Sequence, residues 1–509
     1  MSAKDTTGAN ESLSRRGDPG GSFDIQSGLY KKMKQALNGT KIYQDMGLDQ
    51  VNTYEEYVRT VPARDYKFYE KYVKELETTP NLLFKDELRY YALSTGTSGH
   101  FNKEIPYNSA MLGLFLGFQK EIGEIVHAQA TGVNPATSMQ FTYGSQLISN
   151  DTGSIPRGYI SGLMAAFASN NFKSNLLFPS IAALRIPAWT EKMAAIVEEV
   201  KDKDIRVISG VPSYLINILE EITGRLKIKN LREIWPNLEV CCYSGTPVRN
   251  CRKRIDELAG LPLKYIGIYL ASEAPLGLTR TASSDLSFNT GSILYSFNRF
   301  DEPHGKMLGI QELEPGGEYL VNIGTPNGFI KYALNDVIRI TKITPETEFQ
   351  VIGRKGIAIS VSSEKVTFVA INSAISETEK KLNLPLRHYF IYPSQNNNAP
   401  CYEWVLICDN SGNIPVEIIS RTIDQQLMAL APPYKDLRAV GMIGAPVVAV
   451  IPAGLEKDYF EKFNQKGQMK MKSVFDSKSS FLAFIQQLGP EAVEKAGLGE
   501  QGRVPASDK

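Results

Sequence analysis

Between Ala92 and Asn108 the chain reads ALSTGTSGHFNKEIPYN, with Ser94, Thr95, Gly96, Thr97, Ser98 and Gly99 in an unbroken run and Lys103 shortly after it. Glycine lets the backbone curl so that successive N–H groups point inward, and hydroxyls add donors to the same concave face. That combination suits the oxygens of a phosphate. It is not a Walker A loop, because no Gly-Lys-[Ser/Thr] ending is present. A run of small residues also serves as a plain linker, so its chemistry depends on what accompanies it. Four further stretches do: YSGTPV from Tyr243, YLASEAPLG from Tyr269 with Glu273 just past a strand, YALND from Tyr332 with Asp336 at a strand edge, and KGQMKMK from Lys466 with Lys470 inside it. Each also fits a plainer role. Glu273 suits the cap of a following helix, since acids favour helix N-termini; Asp336 has Arg339 nearby; Lys470 lies between Lys466 and Lys472 in a basic run.

Composition narrows the partners. At 509 residues the chain is too long for one compact core, so a large domain and a smaller one are expected. Fifty-six basic and fifty-five acidic residues leave a net charge of +1, which gives no general attraction to nucleic acid or to an anionic membrane. Neither partner is expected. Cys241, Cys242, Cys251, Cys401 and Cys408 are odd in number and lack paired zinc spacing; they read as reduced, buried thiols in a cytoplasmic protein. The histidines, His100, His127, His304 and His388, are scattered, which argues against a zinc site or a Ser-His-Asp triad. Residues 1–22 are polar and glycine-rich without an apolar core, so a disordered leader is expected there rather than a secretory signal.

The elements that would position these residues follow from periodicity. Ile25, Leu29, Met33 and Leu37 recur every four residues, a helical spacing. Ser109 to Gln129 reads as a long, largely buried helix capped by Asn108 or Ser109. Its apolar run is too short and too interrupted to span a bilayer. The middle alternates strands (IRVISG, LEVCCYSG, KYIGIYLASE) with amphipathic helices, the mark of an α/β sheet with parallel character. From Ser284 to Gln350 strand signals dominate, which predicts a β-rich subdomain. GRKG, Gly353 to Gly356, reads as a boundary before an α+β region. The predicted organisation is therefore a leader at 1–22, an N-terminal domain at 23–352, a mobile C-terminal domain at 353–488 and a flexible tail at 489–509.

In order along the chain, these stretches resemble the ANL adenylate-forming superfamily, and within it the Gretchen Hagen family of acyl acid-amido synthetases, known from plant auxin and jasmonate conjugation and found in bacteria too. Ser94 to Pro106 aligns without gaps to the family's S-S-G-T-[ST]-x-G-x-x-K-x-I-P pattern, and GYISG, GVPSYL and IWPNLEV are further landmarks. The resemblance covers nearly the whole chain from Phe23, and a bacterial-type member is expected. It implies a large N-terminal adenylation domain with an α/β core and a β-rich subdomain, and a smaller α+β C-terminal domain on a hinge. It also implies a two-step reaction: a carboxylate attacks the α-phosphate of ATP to give an acyl-adenylate and pyrophosphate, and an amine, usually an amino acid, then displaces AMP. ATP and Mg²⁺ are the expected cofactors, a small carboxylic acid and an amine or amino acid the expected substrates, and a monomer or weak homodimer the expected state.

Residue by residue, the resemblance implies that Ser94, Thr95, Gly96, Thr97 and Ser98 hold phosphates and that Gly245, Thr246 and Pro247 border adenine. Tyr269, Ala271 and Ser272 would lie along the nucleotide with Arg354 also nucleotide-binding, Glu273 would bind magnesium, Asp336 would accept from the ribose hydroxyls, and Lys470 would stabilise charge at the α-phosphate. Lys120 is a substitute for the arginine that some plant members direct at the acid, and Tyr143 and Tyr159 either line the acid pocket or belong to the core. Two positions depart from the pattern. His100 replaces a glycine of the loop, and Lys331, Tyr332, Ala333 and Asn335-Asp336 stand where an aromatic-arginine-aromatic run and Gly-Asp are common. Two other functions stay open on the sequence: a thioester-forming ligase using coenzyme A or a carrier protein, and a degenerate nucleotide-binding protein.

Overall fold

A computed structural model describes residues 19–94, 103–130, 132–143, 155–160, 176–245, 248–281, 284–344, 346–356, 358–362, 364, 366–396, 399–409, 415–455, 458–459, 462 and 471–488. The chain falls into two compact units, one within 1–210, 231–245 and 261–351, the other within 211–230, 246–260 and 352–509.

The first unit opens with helices whose starts are written in the sequence. They are α1 (Pro19–Leu37), α2 (Lys41–Asp45), α3 (Tyr54–Thr60) and α4 (Tyr66–Glu75). Thr40, Thr53 and Asp65 cap the last three by accepting from Tyr43, Glu56 and Phe68 backbone N–H groups, and Thr53 and Glu56 close a full capping box. Met33 and Leu37 are buried, as the four-residue spacing predicts. The core they join is rich in tyrosine, whose hydroxyls must find acceptors when buried. Tyr30 donates to the Val51 carbonyl at 2.8 Å, Tyr54 to Tyr295 at 2.7 Å, and Tyr295 to Leu276 at 2.6 Å. Burial pushes all three phenols above their ordinary range.

Strands β1 (Tyr90–Ser94) and β2 (Lys103–Tyr107) pair antiparallel, and β4 (Arg157–Tyr159) runs parallel to β1. After β2, Asn108 caps α5 (Ser109–Gln129) by accepting from Met111 N–H at 2.9 Å. The large sheet has eleven strands. In chain order they are β3 (Met139–Thr142), β5 (Leu177–Phe178), β6 (Ile205–Gly210), β7 (Val240–Ser244), β8 (Lys264–Leu270), β9 (Pro275–Thr279), β10 (Leu286–Phe288), β11 (Leu294–Arg299), β12 (Glu318–Gly324), β13 (Tyr332–Lys342) and β14 (Glu348–Arg354). Their spatial order is β11-β12-β13-β14-β10-β9-β8-β7-β6-β3-β5. From β5 to β8 the pairs are parallel, and from β8 through β9 to β10 they are antiparallel. The α/β core and the β-rich subdomain are thus two halves of one sheet.

Helices α6 (Ile181–Leu184) and α7 (Trp189–Val200) complete the first unit. The second unit pairs β15 (Ala358–Ile359) with β16 (Val366–Thr367) and centres on a three-stranded sheet of β17 (Leu386–Asn396), β18 (Ala399–Cys408) and β19 (Val447–Pro452), with helices α10 (Phe368–Leu382), α11 (Val416–Leu430) and α12 (Pro432–Ala439). Trp404, Tyr402 and Leu406 of β18 are buried in its core with Ile371 and Ile375 of α10 and Ile423 and Leu427 of α11. To this unit also belong α8 (Pro212–Leu226) and α9 (Arg249–Ala259), the helices that follow β6 and β7 in the chain. Arg387 of β17 donates to Glu220 of α8 at 2.6 Å and pairs with Asp409, while Arg254 of α9 pairs with the same Glu220 at 2.9 Å.

All five cysteines are buried and none is joined in a disulfide. Among the described residues no helix is long and apolar enough to cross a membrane. One local expectation changes. The segment after Glu273 is strand β9 and not a helix, so Glu273 caps nothing; it stands in the turn of an antiparallel hairpin.

Candidate functional site

Three pieces of backbone converge in the first unit. The first is the β1–β2 hairpin, where Ser94 and Lys103 face each other in register as the last and first paired residues of their strands. Thr95, Gly96, Thr97 and Ser98, which lie between them, fall outside the described residues. The second is the β8–β9 turn, closed by reciprocal backbone hydrogen bonds between Ala271 and Ala274 at 3.0 and 3.2 Å. It is tied to the hairpin: the Ser272 hydroxyl donates to the Leu93 carbonyl at 3.3 Å and the Tyr107 hydroxyl donates to the Ser272 carbonyl at 2.7 Å.

The third piece is the first half of β13. Its register against β12 runs from Tyr332 opposite Ile323 to Val337 opposite Leu320, with a shift between. Extra residues in one strand bulge it and increase its local twist. Asn335 takes φ +65° at this bulge and Lys331 takes φ +49° just before it. Glycine enters the left-handed region most easily, and asparagine is among the few other residues enriched there. Asn335 therefore supplies the turn that the resemblance assigns to a glycine, and the acid after it keeps its place.

Two cross-links join β13 to the β8–β9 turn. Tyr269 donates to Asp336 Oδ2 at 2.6 Å, and Tyr332 donates to Glu273 Oε1 at 3.0 Å. In the sheet β13 and β8 are separated by three strands, about 19 Å if flat, which is farther than these side chains reach. Their contact requires the sheet to curl, and the bulge in β13 supplies part of that curvature. Glu273 is 5% exposed. Among the described residues, its carboxylate accepts from the Tyr332 hydroxyl through Oε1. Lys103 Nζ donates to the Tyr332 hydroxyl at 3.1 Å and lies over the Tyr66 ring at 5.5 Å. Arg339 donates through Nε and Nη2 to Glu318 Oε1 at 3.2 and 2.7 Å, so its strong ion pair is there and not with Asp336.

Lys331, beside this array, is fully buried. Its ammonium donates to the carbonyls of Tyr57, Val58 and Val61 at 2.6, 2.8 and 2.7 Å, closing the C-terminal end of α3, and lies 4.8 Å from the Tyr57 ring centre. Desolvation, with a smaller push from Arg59, lowers its pKa to about 7. The basic residue at this place in the motif is thus a helix plug.

The remaining expected residues lie as follows. Gly245 follows β7 directly with φ +85°, a conformation that disfavours other side chains. Thr246, Pro247 and Lys470 lie outside the described residues. Arg354 is the last residue of β14 and belongs to the second unit. Tyr159 pairs in register with Leu93, one residue before Ser94. Tyr143 is buried after β3, its amide donating to the Ser209 carbonyl at 3.1 Å, and burial pushes its phenol up. Lys120 is 77% exposed on α5 and faces Glu124 at 3.7 Å. Sequence reasoning assigned no role to Lys103 or Tyr332, although both stand inside motifs it singled out; their contact across the fold has no sequence signature. No group of three or more His, Cys, Asp or Glu side chains suited to a metal occurs among the described residues.

A curled sheet, part parallel and part antiparallel, with two acids cross-linked to one another's strands beside the β8–β9 turn is the architecture of an adenylate-forming enzyme. Solved structures share the fold. The AtGH3.15 acyl acid amido synthetase in complex with 2,4-DB superposes with a TM-score of 0.76 at 14% identity over 96% of this chain and 97% of that one. A 2-hydroxyisobutyryl-CoA ligase in the postadenylation state, in complex with 2-HIB-AMP, gives 0.57 at 14% identity over 90% and 91%. Comparison with curated protein sequences gives no match. Family models match in three parts: the GH3 family N-terminal domain over residues 23–184, the central domain over 291–354 and the C-terminal domain over 369–479. The chain belongs to the GH3 (Gretchen Hagen) family, and its activity is the family's ATP-dependent formation of an acyl-adenylate followed by amide synthesis.

Proposed function

We propose that the array around Glu273 and Asp336 binds ATP for attack by a small carboxylic acid, and that the acceptor is the amine of an amino acid or a related amine. The observation that carries the assignment is the pair of cross-links, Tyr269 to Asp336 and Tyr332 to Glu273, which bring both motif acids to the turn tied to the β1–β2 hairpin. Asp336 accepts from the ribose hydroxyls while still held by Tyr269, since a carboxylate has room for several donors. Ser94 and, beyond it, Thr95, Gly96, Thr97 and Ser98 hold the phosphates. Tyr269, Ala271 and Ser272 line the nucleotide, Gly245, Thr246 and Pro247 border the base, and Arg354 completes its contacts.

Magnesium is dehydrated reluctantly and takes one or two carboxylates plus phosphate oxygens and water. A single buried carboxylate with one oxygen held by Tyr332 and the other available fits that need, and Glu273 would hold the ion. When bound, it neutralises phosphate charge. In the first step a carboxylate oxygen bonds to the α-phosphorus as the bond to pyrophosphate breaks, with Lys470 stabilising the charge that builds there. In the second, the amine nitrogen bonds to the acyl carbon, the carbon–oxygen bond to AMP breaks, and the nitrogen sheds a proton. Tyr159, beside Leu93, is the residue we place nearest the acid; Tyr143 serves the core, and Lys120 faces solvent.

Acid-dependent pyrophosphate release, measured across carboxylic acids with amines and with thiols, tests this reading. An amide as the product supports it. Formation of a thioester with coenzyme A and no amide would transfer the chain to the ligase reading, and ATP binding without release for any acid would make it a binding protein.

A further inference from the structure

Tyr332 sits between two charged groups with its ring fully enclosed. It is 1% exposed, stacked on Phe329 at 5.0 Å and 12° and packed against Tyr69 at 5.8 Å. Its hydroxyl lies 3.1 Å from Lys103 Nζ and 3.0 Å from Glu273 Oε1. The chemistry of the three groups sets the direction of the chain. An ammonium only donates, an ionised carboxylate only accepts, and a phenol has one proton to give. Lys103 therefore donates to the Tyr332 oxygen, and the Tyr332 proton goes to Glu273. One carboxylate oxygen, Oε1, is thereby held by the Tyr332 hydroxyl. A donor chain polarises each link and strengthens the next, so the charge of Lys103 is felt at Glu273 through the Tyr332 hydroxyl.

Building on the proposed role of Glu273, we infer that Tyr332 and Lys103 are positioning residues for the metal of the metal–nucleotide complex: they act through Glu273 by fixing which of its oxygens meets the cation. Lys103 stands opposite Ser94 in the β1–β2 register.

The test is equilibrium binding of Mn²⁺, read by electron paramagnetic resonance, to the full-length protein in the presence of an ATP analogue with a non-cleavable α–β bridge. Binding of the same analogue without metal is measured alongside. Tyr332→Phe keeps the ring and its stacking and removes one charge-assisted hydrogen bond, so Mn²⁺ should bind about ten-fold more weakly while metal-free analogue binding changes less than two-fold. Lys103→Met should weaken Mn²⁺ binding in the same direction and Lys103→Arg should restore it. Glu273→Gln is the reference. If Glu273→Gln weakens Mn²⁺ binding but Tyr332→Phe does not, the positioning inference is wrong and the assignment of Glu273 stands. If Lys103→Met alone has no effect, Lys103 is removed from the array. If Glu273→Gln itself leaves Mn²⁺ binding unchanged, the assignment of Glu273 falls and the inference with it.

Discussion

Asp336 shows what a single side chain contributes and what the sequence tells about it. Its carboxylate accepts from Tyr269 at 2.6 Å, which fixes its orientation before any ligand arrives. Hydrogen bonds to a charged group are worth roughly 1.5–3 kcal/mol each, so Asp336→Ala, by removing the acceptor we propose for two ribose hydroxyls, should weaken ATP binding ten-fold or more by calorimetry. The curled sheet should persist, because the bulge depends on Asn335 and on the pairing with β12. Unchanged ATP affinity in the folded variant would return Asp336 to a strand-edge role. The acid itself was legible in YALND, and so was the change from glycine to asparagine before it. The consequence of that change was not legible, because whether Asn335 can replace glycine depends on the sign of φ at one position. Tyr332 was invisible for a similar reason: a buried tyrosine is ordinary core until its hydroxyl is seen between a lysine and a carboxylate.

At the scale of elements, helix α3 and strand β13 are fastened by Lys331, whose three donors meet the three carbonyls at the helix end. A cation there also faces the negative end of the helix dipole, yet desolvation outweighs both and lowers its pKa to about 7. The unfolded chain keeps a lysine near its ordinary value of about 10.4. Between these values the unfolded state binds more protons than the folded one, so this residue's contribution to stability rises as pH increases from about 7 toward 10, and is flat below 7. The difference in unfolding free energy between the wild type and Lys331→Met should therefore grow with pH in that window, by up to about 1.4 kcal/mol per pH unit. A difference independent of pH in denaturant titrations would mean that the plug stays charged throughout. Long elements such as α5, β12 and β13 were legible from periodicity and caps. Strands β9 and β10 were not. PLGLT opens with proline, contains glycine and is buried at every position, so it carries neither alternation nor β-propensity, and Leu286–Phe288 is too short for any period. Only their pairing in a large sheet makes them strands.

The whole molecule is organised by an interleaving that the linear sequence conceals. GRKG was read as a boundary, and Gly356 there takes φ +89° with open space around it, but α8 and α9, which precede it by a hundred residues, cluster with the C-terminal sheet. The reason is tertiary: Glu220 of α8 collects both Arg387 of β17 and Arg254 of α9. Arg387 also pairs with Asp409, so the two arginines and two acids form one cluster within this unit. At the scale of the whole reaction, the fate of the acid's oxygens distinguishes the chemistries. The most direct measurement uses a carboxylic acid with oxygen-18 in both carboxylate positions and follows it by mass spectrometry during turnover with ATP and an amine. If the acid attacks the α-phosphorus, the oxygen that bridges carbon and phosphorus stays with the nucleotide when the amine attacks, so AMP should carry one oxygen-18 and the amide the other. Label in inorganic phosphate with ADP as the nucleotide product, or unlabelled AMP beside an amide, would contradict adenylation of the acid by this protein.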